Sequence, residues 1–166
     1  MRPLTIYLSG NISPNPATYQ WRDNFTARMV LAGHTTPRAI EIINPCRTRF
    51  DQELRKLKAS GDMAAYDEMR ASTQLILPKA DRQSVLRSDI MVVNLELADP
   101  VHPPIGTTHE LCWAADVPGL TVIAIIGEEP NVWSLHPFNA RCINYAVENV
   151  WEAVDTVVQY FFDAEV

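Results

Sequence analysis

The run SDIMVVNLELADPVHPPIGTTHELCWAAD, residues 88–116, decides how this chain is read. An acid, Asp89, opens an apolar strand, Ile90-Met91-Val92-Val93. A loop rich in proline and acid follows over 96–105. Gly106-Thr107-Thr108-His109-Glu110 then opens a helix expected over Thr107–Asp116, apolar on most sides and therefore heavily buried. This order of strand, loop, glycine turn and carboxylate places Glu110 at the carboxyl edge of a sheet, where open α/β sheets bind ligands. The free N–H groups of a helix start there suit an anionic or hydroxyl-rich ligand. A glutamate so held can attack a sugar carbon. It can equally close a capping box, with Thr107 as the cap and Glu110 returning to the cap residue's own N–H.

Working outward, the pattern alternates strand and helix. Leu4-Thr5-Ile6-Tyr7-Leu8 reads as a short buried strand. Ser9 to Pro16 is loop by composition. A helix follows with Trp21, Phe25 and Met29 four apart on one face and Gly33 as its stop. Ala39 to Ile43 is a second strand. Segment 46–77 reads as a polar helical excursion, with helices over Asp51–Ala59 and Met63–Ser72. A short helix over Pro78–Arg87 leads into strand Asp89–Leu95. Leu120–Ile126 is an unbroken apolar strand, as in the middle of a parallel sheet. A short strand is expected around Cys142-Ile143. The last helix carries Val147, Val150, Trp151, Val154, Val158 and Phe161 at three- and four-residue steps. Five strands alternating with helices predict a single α/β domain over 1–166, doubly wound and flavodoxin-like, with a five-stranded parallel sheet of order 2-1-3-4-5. In that order strands 1 and 3 are neighbours, and the crevice between their carboxyl ends is the expected site.

Composition narrows the partners. A net charge of −6 disfavours a nucleic-acid polymer as ligand, because phosphate contacts need a basic surface. Arg47-Thr48-Arg49 and Arg55-Lys56-x-Lys58 are short and mixed with acids. Cys46, Cys112 and Cys142 are too widely spaced for a zinc pattern or an evident disulfide set. Met1-Arg2-Pro3 runs directly into a strand, and no apolar stretch is long enough to span a bilayer. These features predict a reduced, cytoplasmic protein with no membrane partner and no metal site.

Several residues could serve chemistry at the expected crevice. Cleavage of a bond from a sugar to a base builds positive charge on the sugar. One carboxylate can trap that carbon while a second acid protonates the leaving group. Glu110 fits the first role. For the second, spacing rates Asp89 and Asp99 about equal, since Asp89 opens its strand and Asp99 lies in the loop after it. Tyr7 can orient a catalytic carboxylate or pack in the core with its hydroxyl on backbone. Gly10-Asn11 form a turn through which backbone N–H groups approach a ligand, or an ordinary turn. Asn94 lies at the carboxyl end of strand 3, and Gly106 and Thr107 offer helix-start N–H groups. Asn131 and His136 lie in the loop after strand 4, again at the carboxyl edge. His109 is read as non-catalytic, because helix neighbours point to different faces.

Together these residues resemble the nucleoside 2-deoxyribosyltransferase family and its relatives, the 2′-deoxynucleoside 5′-monophosphate N-hydrolases. The resemblance rests on Ile6-Tyr7-Leu8-Ser9-Gly10, on Asp81 and Ser88-Asp89, and on Gly106-Thr107-x-x-Glu110. Asn131…His136-Pro137 and Val150-x-Glu152-Ala153 complete it. It implies that Glu110 is the nucleophile at C1′, that Asp89 assists at the base, and that Tyr7 orients the glutamate. It implies no cofactor, a nucleoside or nucleotide substrate with a free base as acceptor, and a homo-oligomer. The chain departs from the family at the 5′ position. Pro104 stands where the transferases carry an acid and the monophosphate hydrolases a serine, and no arginine closely follows Gly10. Segment 46–77 is also longer than the family pattern. A non-catalytic nucleotide-binding module, a nucleotide-sugar or NAD-type glycohydrolase, and a purely structural α/β protein with Glu110 as a cap are the rival readings.

Overall fold

The computed structural model describes residues 2–13, 15–33, 38–74 and 76–162. Pro14, expected in the loop after the first strand, and Leu75, within the expected excursion, lie outside these residues. So do Met1 and 163–166 at the ends of the expected domain.

Strand β1 (Leu4–Gly10) is almost entirely buried, because it lies between β2 (Ile40–Ile43) and β3 (Ile90–Asn94). β4 (Thr121–Ile125) and β5 (Tyr145–Val147) complete a parallel sheet of order β2-β1-β3-β4-β5. This is the doubly wound, flavodoxin-like arrangement expected from the alternation of elements. Period-two alternation divides the strand side chains between two helix layers. Ile6, Leu8, Val92 and Ile123 meet α1 (Ala17–Gly33) and α7 (Val150–Phe161) on one face. Tyr7, Met91, Val93 and Ala124 meet α4 (Leu77–Leu86) and α5 (Ile105–Ala115) on the other. The expected stripe Trp21, Phe25, Met29 is the buried face of α1. Burying a side chain such as Phe25 contributes about 1.5–3 kcal/mol.

The connection from β2 to α4 holds a 3-10 turn (Pro45–Arg47), α2 (Arg49–Ser60) and α3 (Met63–Thr73). Thr48 caps α2 by accepting from the Asp51 N–H, and left-handed Gly61 ends it. Neither helix holds a buried residue. Arg55 ties α2 to the domain: it lies over the Tyr19 ring at 4.0 Å and donates to the Cys46 carbonyl.

Two expectations shift near the end of the chain. β5 lies at Tyr145–Val147 rather than around Cys142-Ile143. The Cys142 N–H is taken by the Asn139 carbonyl, in the turn that leaves α6 (Pro137–Ala140). Asn144 then accepts from the Val122 N–H, and pairing starts at Tyr145 opposite Ile123. Val147 is therefore a strand residue, not the first apolar step of α7. That helix starts later because Asn149 caps it, accepting from the N–H groups of Trp151 and Glu152. Among the described residues, no helix is long and apolar enough to cross a membrane.

Gly10 ends β1 at φ +149°, and a Cβ there would stand 3.0 Å from the Asn94 carbonyl oxygen. Gly10→Ala is expected to cost about 1–3 kcal/mol, read as a lower urea midpoint. An unchanged midpoint would show that the β1–β3 edge yields freely.

Candidate active site

The alternation that turns Ile6 and Leu8 one way turns Tyr7 and Ser9 the other, toward α5. Glu110 sits in the second turn of that helix and meets both. The Tyr7 hydroxyl donates to Glu110 Oε1 at 2.7 Å, and the Ser9 hydroxyl donates to Oε2. The capping-box reading is thereby overturned. α5 begins at Ile105, two residues before the expected start, because the Pro104 carbonyl accepts the Thr108 N–H. Pro104 is the cap position and has no side-chain cap bond, while Thr107 lies inside the helix and is buried.

Glu110 as a whole is half-buried, but its carboxylate is enclosed by protein. That burial pushes its pKa up to about 7. The Ser9 and Tyr7 hydrogen bonds pull it back, Asp81 raises it further, and Arg22 lowers it. Burial, with the negative charges of Glu110 and Asp81, pushes the Tyr7 phenol far above its ordinary value, so it remains a donor. Burial also raises the Asp81 carboxyl.

Two clefts meet at Glu110. One, of about 310 Å³, has Pro78, Ile105, His109 and Trp113 as walls and Asp81 and Glu110 as its acids. The other, of about 270 Å³, runs along Gly10, Asn11, Pro104, Gly106 and Thr107 and shares the same two acids. A Cβ on Gly106 would meet nothing within 4 Å, so the chain's own packing does not require glycine there. Its bare backbone instead leaves that wall of the clefts open to a close-fitting ligand. The first cleft offers flat apolar surface and the second mainly backbone. Asp81 and Glu110 lie on the wall that the two clefts share.

The structure brings Tyr7, Gly10, Asn11, Gly106, Thr107 and Glu110 together. It does not bring Asp89. That carboxylate lies at the amino edge of the sheet, where it accepts from Arg2 and from the Thr5 N–H at 2.9 Å. The length of β3, about 17 Å for five residues, separates it from the carboxyl edge. Asp99 is held within its own loop, accepting from the Val101 and His102 N–H groups and pairing with the His102 ring. The His102 contact and those two N–H groups hold its pKa below the ordinary carboxylate value. Asn94 is buried and accepts from the Leu97 N–H. Asn131 braces the loop after β4: it donates to the Leu95 carbonyl at 2.6 Å and accepts from the Trp133 and Ser134 N–H groups. His136 is exposed and lines a separate cavity between α5 and α6.

Sequence reasoning missed Ser9 as a donor, Asp81 as the second acid, and His109 with Trp113 as cleft walls. Asp81 had a topological signal. A crossover helix that feeds directly into a parallel strand runs back along it, so its start lies at the carboxyl edge. Asp81 is in the first half of α4, whereas Asp89 follows its end.

No protein-family model and no curated protein matches the chain. Among solved structures, the crystal structure of a conserved protein from Enterococcus faecalis V583 matches 95% of this chain and 98% of its own, with a TM-score of 0.53 and 14% identity. The likeness is one of fold.

The raised Glu110 pKa has a stability consequence with a definite sign. The folded protein favours the protonated acid, so this contribution is fully present below about pH 4.5 and lost as pH rises through about 7. A rise from 4.5 to about 7 corresponds to up to about 3 kcal/mol. Glu110→Gln is therefore expected to be more stable than the parent at pH 8, with the advantage gone by pH 4.5. Paired urea titrations at both values check it, and a uniform loss of about 1 kcal/mol would restore the capping role.

Proposed function

We propose that this chain is an enzyme that breaks the N-glycosidic bond of a nucleoside, of the nucleoside 2-deoxyribosyltransferase type, with Glu110 as nucleophile. The observation that carries this reading is the double hydroxyl clamp on Glu110, at a carboxyl-edge cleft that a second acid shares. Two donors fix the rotamer and leave an oxygen lone pair for C1′. Glu110 Oε attacks C1′ as the C1′–N bond breaks, and the bond's electron pair leaves with the base. Asp81, which lines both clefts with Glu110, donates a proton to that base. The glycosyl ester on Glu110 then passes to a nitrogen of a second base or to water, whose proton returns to Asp81, and the Glu110 carboxylate is regenerated. Asp81 takes the role that the resemblance assigned to Asp89.

The clefts also favour one substrate class. Among the described residues, the lining around Gly10 and Gly106 holds two carboxylates and no cation. Arg22, the nearest buried cation, is 1% exposed and donates to the carbonyls of Thr18 and Gly10. A 5′-phosphate would meet repulsion and no guanidinium fork. This supports an unphosphorylated nucleoside over its 5′-monophosphate.

Two measurements follow. Base release from a nucleoside panel, followed by chromatography, is expected to rise with pH through about 7 as Glu110 ionises. It should vanish in Glu110→Gln, slow selectively for poor leaving groups in Asp81→Asn, and stay near the parent level in Asp89→Ala. Normal turnover in Glu110→Gln would reject the nucleophile, and absence of base release by the parent would leave a binding module. The second is kcat/KM for one matched nucleoside and monophosphate, where the nucleoside is expected to be used at least as well. A preference of about a hundredfold for the monophosphate, roughly 2.7 kcal/mol, would reverse the substrate class.

A further inference from the structure

A third cavity, of about 270 Å³, adjoins both Glu110 clefts. It shares Pro103 and Ile105 with the cleft along Gly10, and Ile105 and His109 with the cleft beside Trp113. Ile105 therefore stands at the junction of all three, and it is 64% exposed. Each hollow lies at or below the low end of the size of a complete small-molecule site, so one ligand would fill more than one of them.

The third cavity differs from the other two in charge. Among the described residues, its lining holds no carboxylate, lysine or arginine. One wall is the Trp133 indole, whose Nε1–H is taken by the Asp99 carbonyl at 2.6 Å, so the ring offers no free donor. Asn139 is 2% exposed and adds almost no polar surface. The cleft along Gly10 carries the same apolar character toward this cavity, through Ile12, Pro103, Pro104 and Ile105. Of its uncharged polar side chains, Thr107 is buried and the Asn11 amide donates to the Leu97 carbonyl.

We propose that the third cavity seats an apolar group carried on the 5′ carbon of the substrate. The substrate class is then a neutral nucleoside in which an alkylthio or arylthio group replaces the 5′-hydroxyl. This rests on the glycosidic reading at Glu110, in which the base takes the flat cleft beside Trp113 and the 5′ carbon lies in the cleft along Gly10. A substituent on that carbon reaches the third cavity past Pro103 and Ile105, the two residues that line both. A phosphate there is repelled by Asp81 and Glu110. A hydroxyl gives up water against apolar side chains, whereas a thioether or an aryl ring gains by the same transfer. The Trp133 ring adds a surface suited to a sulfur atom or a second ring.

The test is kcat/KM for base release across four compounds that carry hydroxyl, hydrogen, methylthio or benzylthio at C5′. They are built on the nucleoside cleaved fastest in the base-release panel, or on 2′-deoxyadenosine if none is cleaved. Methylthio is expected to exceed hydroxyl about tenfold, and benzylthio to exceed hydrogen by at least as much. Trp133→Ala and, separately, Ile105→Asn should each erase most of the benzylthio-to-hydrogen ratio. A ratio between two substrates of one variant does not depend on how much of that variant is folded, and Ile105 is exposed, so a folding defect cannot mimic the result. Equal use of the four compounds, a preference for the hydroxyl, or a benzylthio gain that survives both replacements overturns the subsite and leaves cleavage at Glu110 standing. Release of base from none of the compounds rejects the glycosidic reading, and the subsite with it.

Discussion

Two hydroxyls two residues apart on one strand grip a single carboxylate on a helix, and the candidate site is arranged around that contact. Tyr7 and Ser9 share a face of β1 because strand side chains repeat every second residue. Their oxygens take one carboxylate oxygen each. β1 is hydrogen-bonded on both sides and buried, so the two donors have little freedom. Burying a carboxylate is costly, and the two hydrogen bonds offset part of that cost. What remains uncompensated appears as the raised Glu110 pKa. In the proposed reaction, stability is surrendered at the position where a poised nucleophile is useful.

The second acid illustrates how topology outranks spacing. Asp81 and Asp89 are eight residues apart, and both precede the same strand. One lies in the first half of a helix that runs back along the sheet, and the other in the turn that reverses the chain. They therefore fall at opposite edges. At the amino edge, Asp89 has a structural partner set in Arg2 and the Thr5 N–H. At the carboxyl edge, Asp81 shares both clefts with Glu110 and raises its pKa. Two carboxyl groups in one cleft oppose each other's ionisation, the condition that separates an acid from a nucleophile.

Arg22 shows the opposite arrangement. It is a cation near the site that is turned inward. Its guanidinium nitrogens bond to the carbonyls of Thr18 and Gly10, and burial lowers its pKa. It braces the β1–α1 turn and moderates Glu110 from behind, but is enclosed beneath the surface that a ligand meets. The electrostatic character of the clefts is therefore set by two acids and exposed backbone.

The sheet order and both helix layers were legible from the alternation of apolar strands with helical stripes, because those periods follow directly from backbone geometry. The Trp21, Phe25, Met29 face of α1 and the central strands came through for that reason. Tyr7 and Gly10 were legible as carboxyl-edge residues of strand 1, and Glu110 as a residue of the helix that starts at the same edge after strand 3. Local boundaries were less so. α5 starts on the Pro104 carbonyl, a backbone acceptor that no side chain advertises, and β5 starts where Asn144 reaches Val122. Which acid joins Glu110, what Ser9 does, and where His109 and Asn131 face depended on distances between segments far apart in the chain. Periodicity determines the face of an element on which a residue lies. Only the packing of one element on another determines what that residue touches.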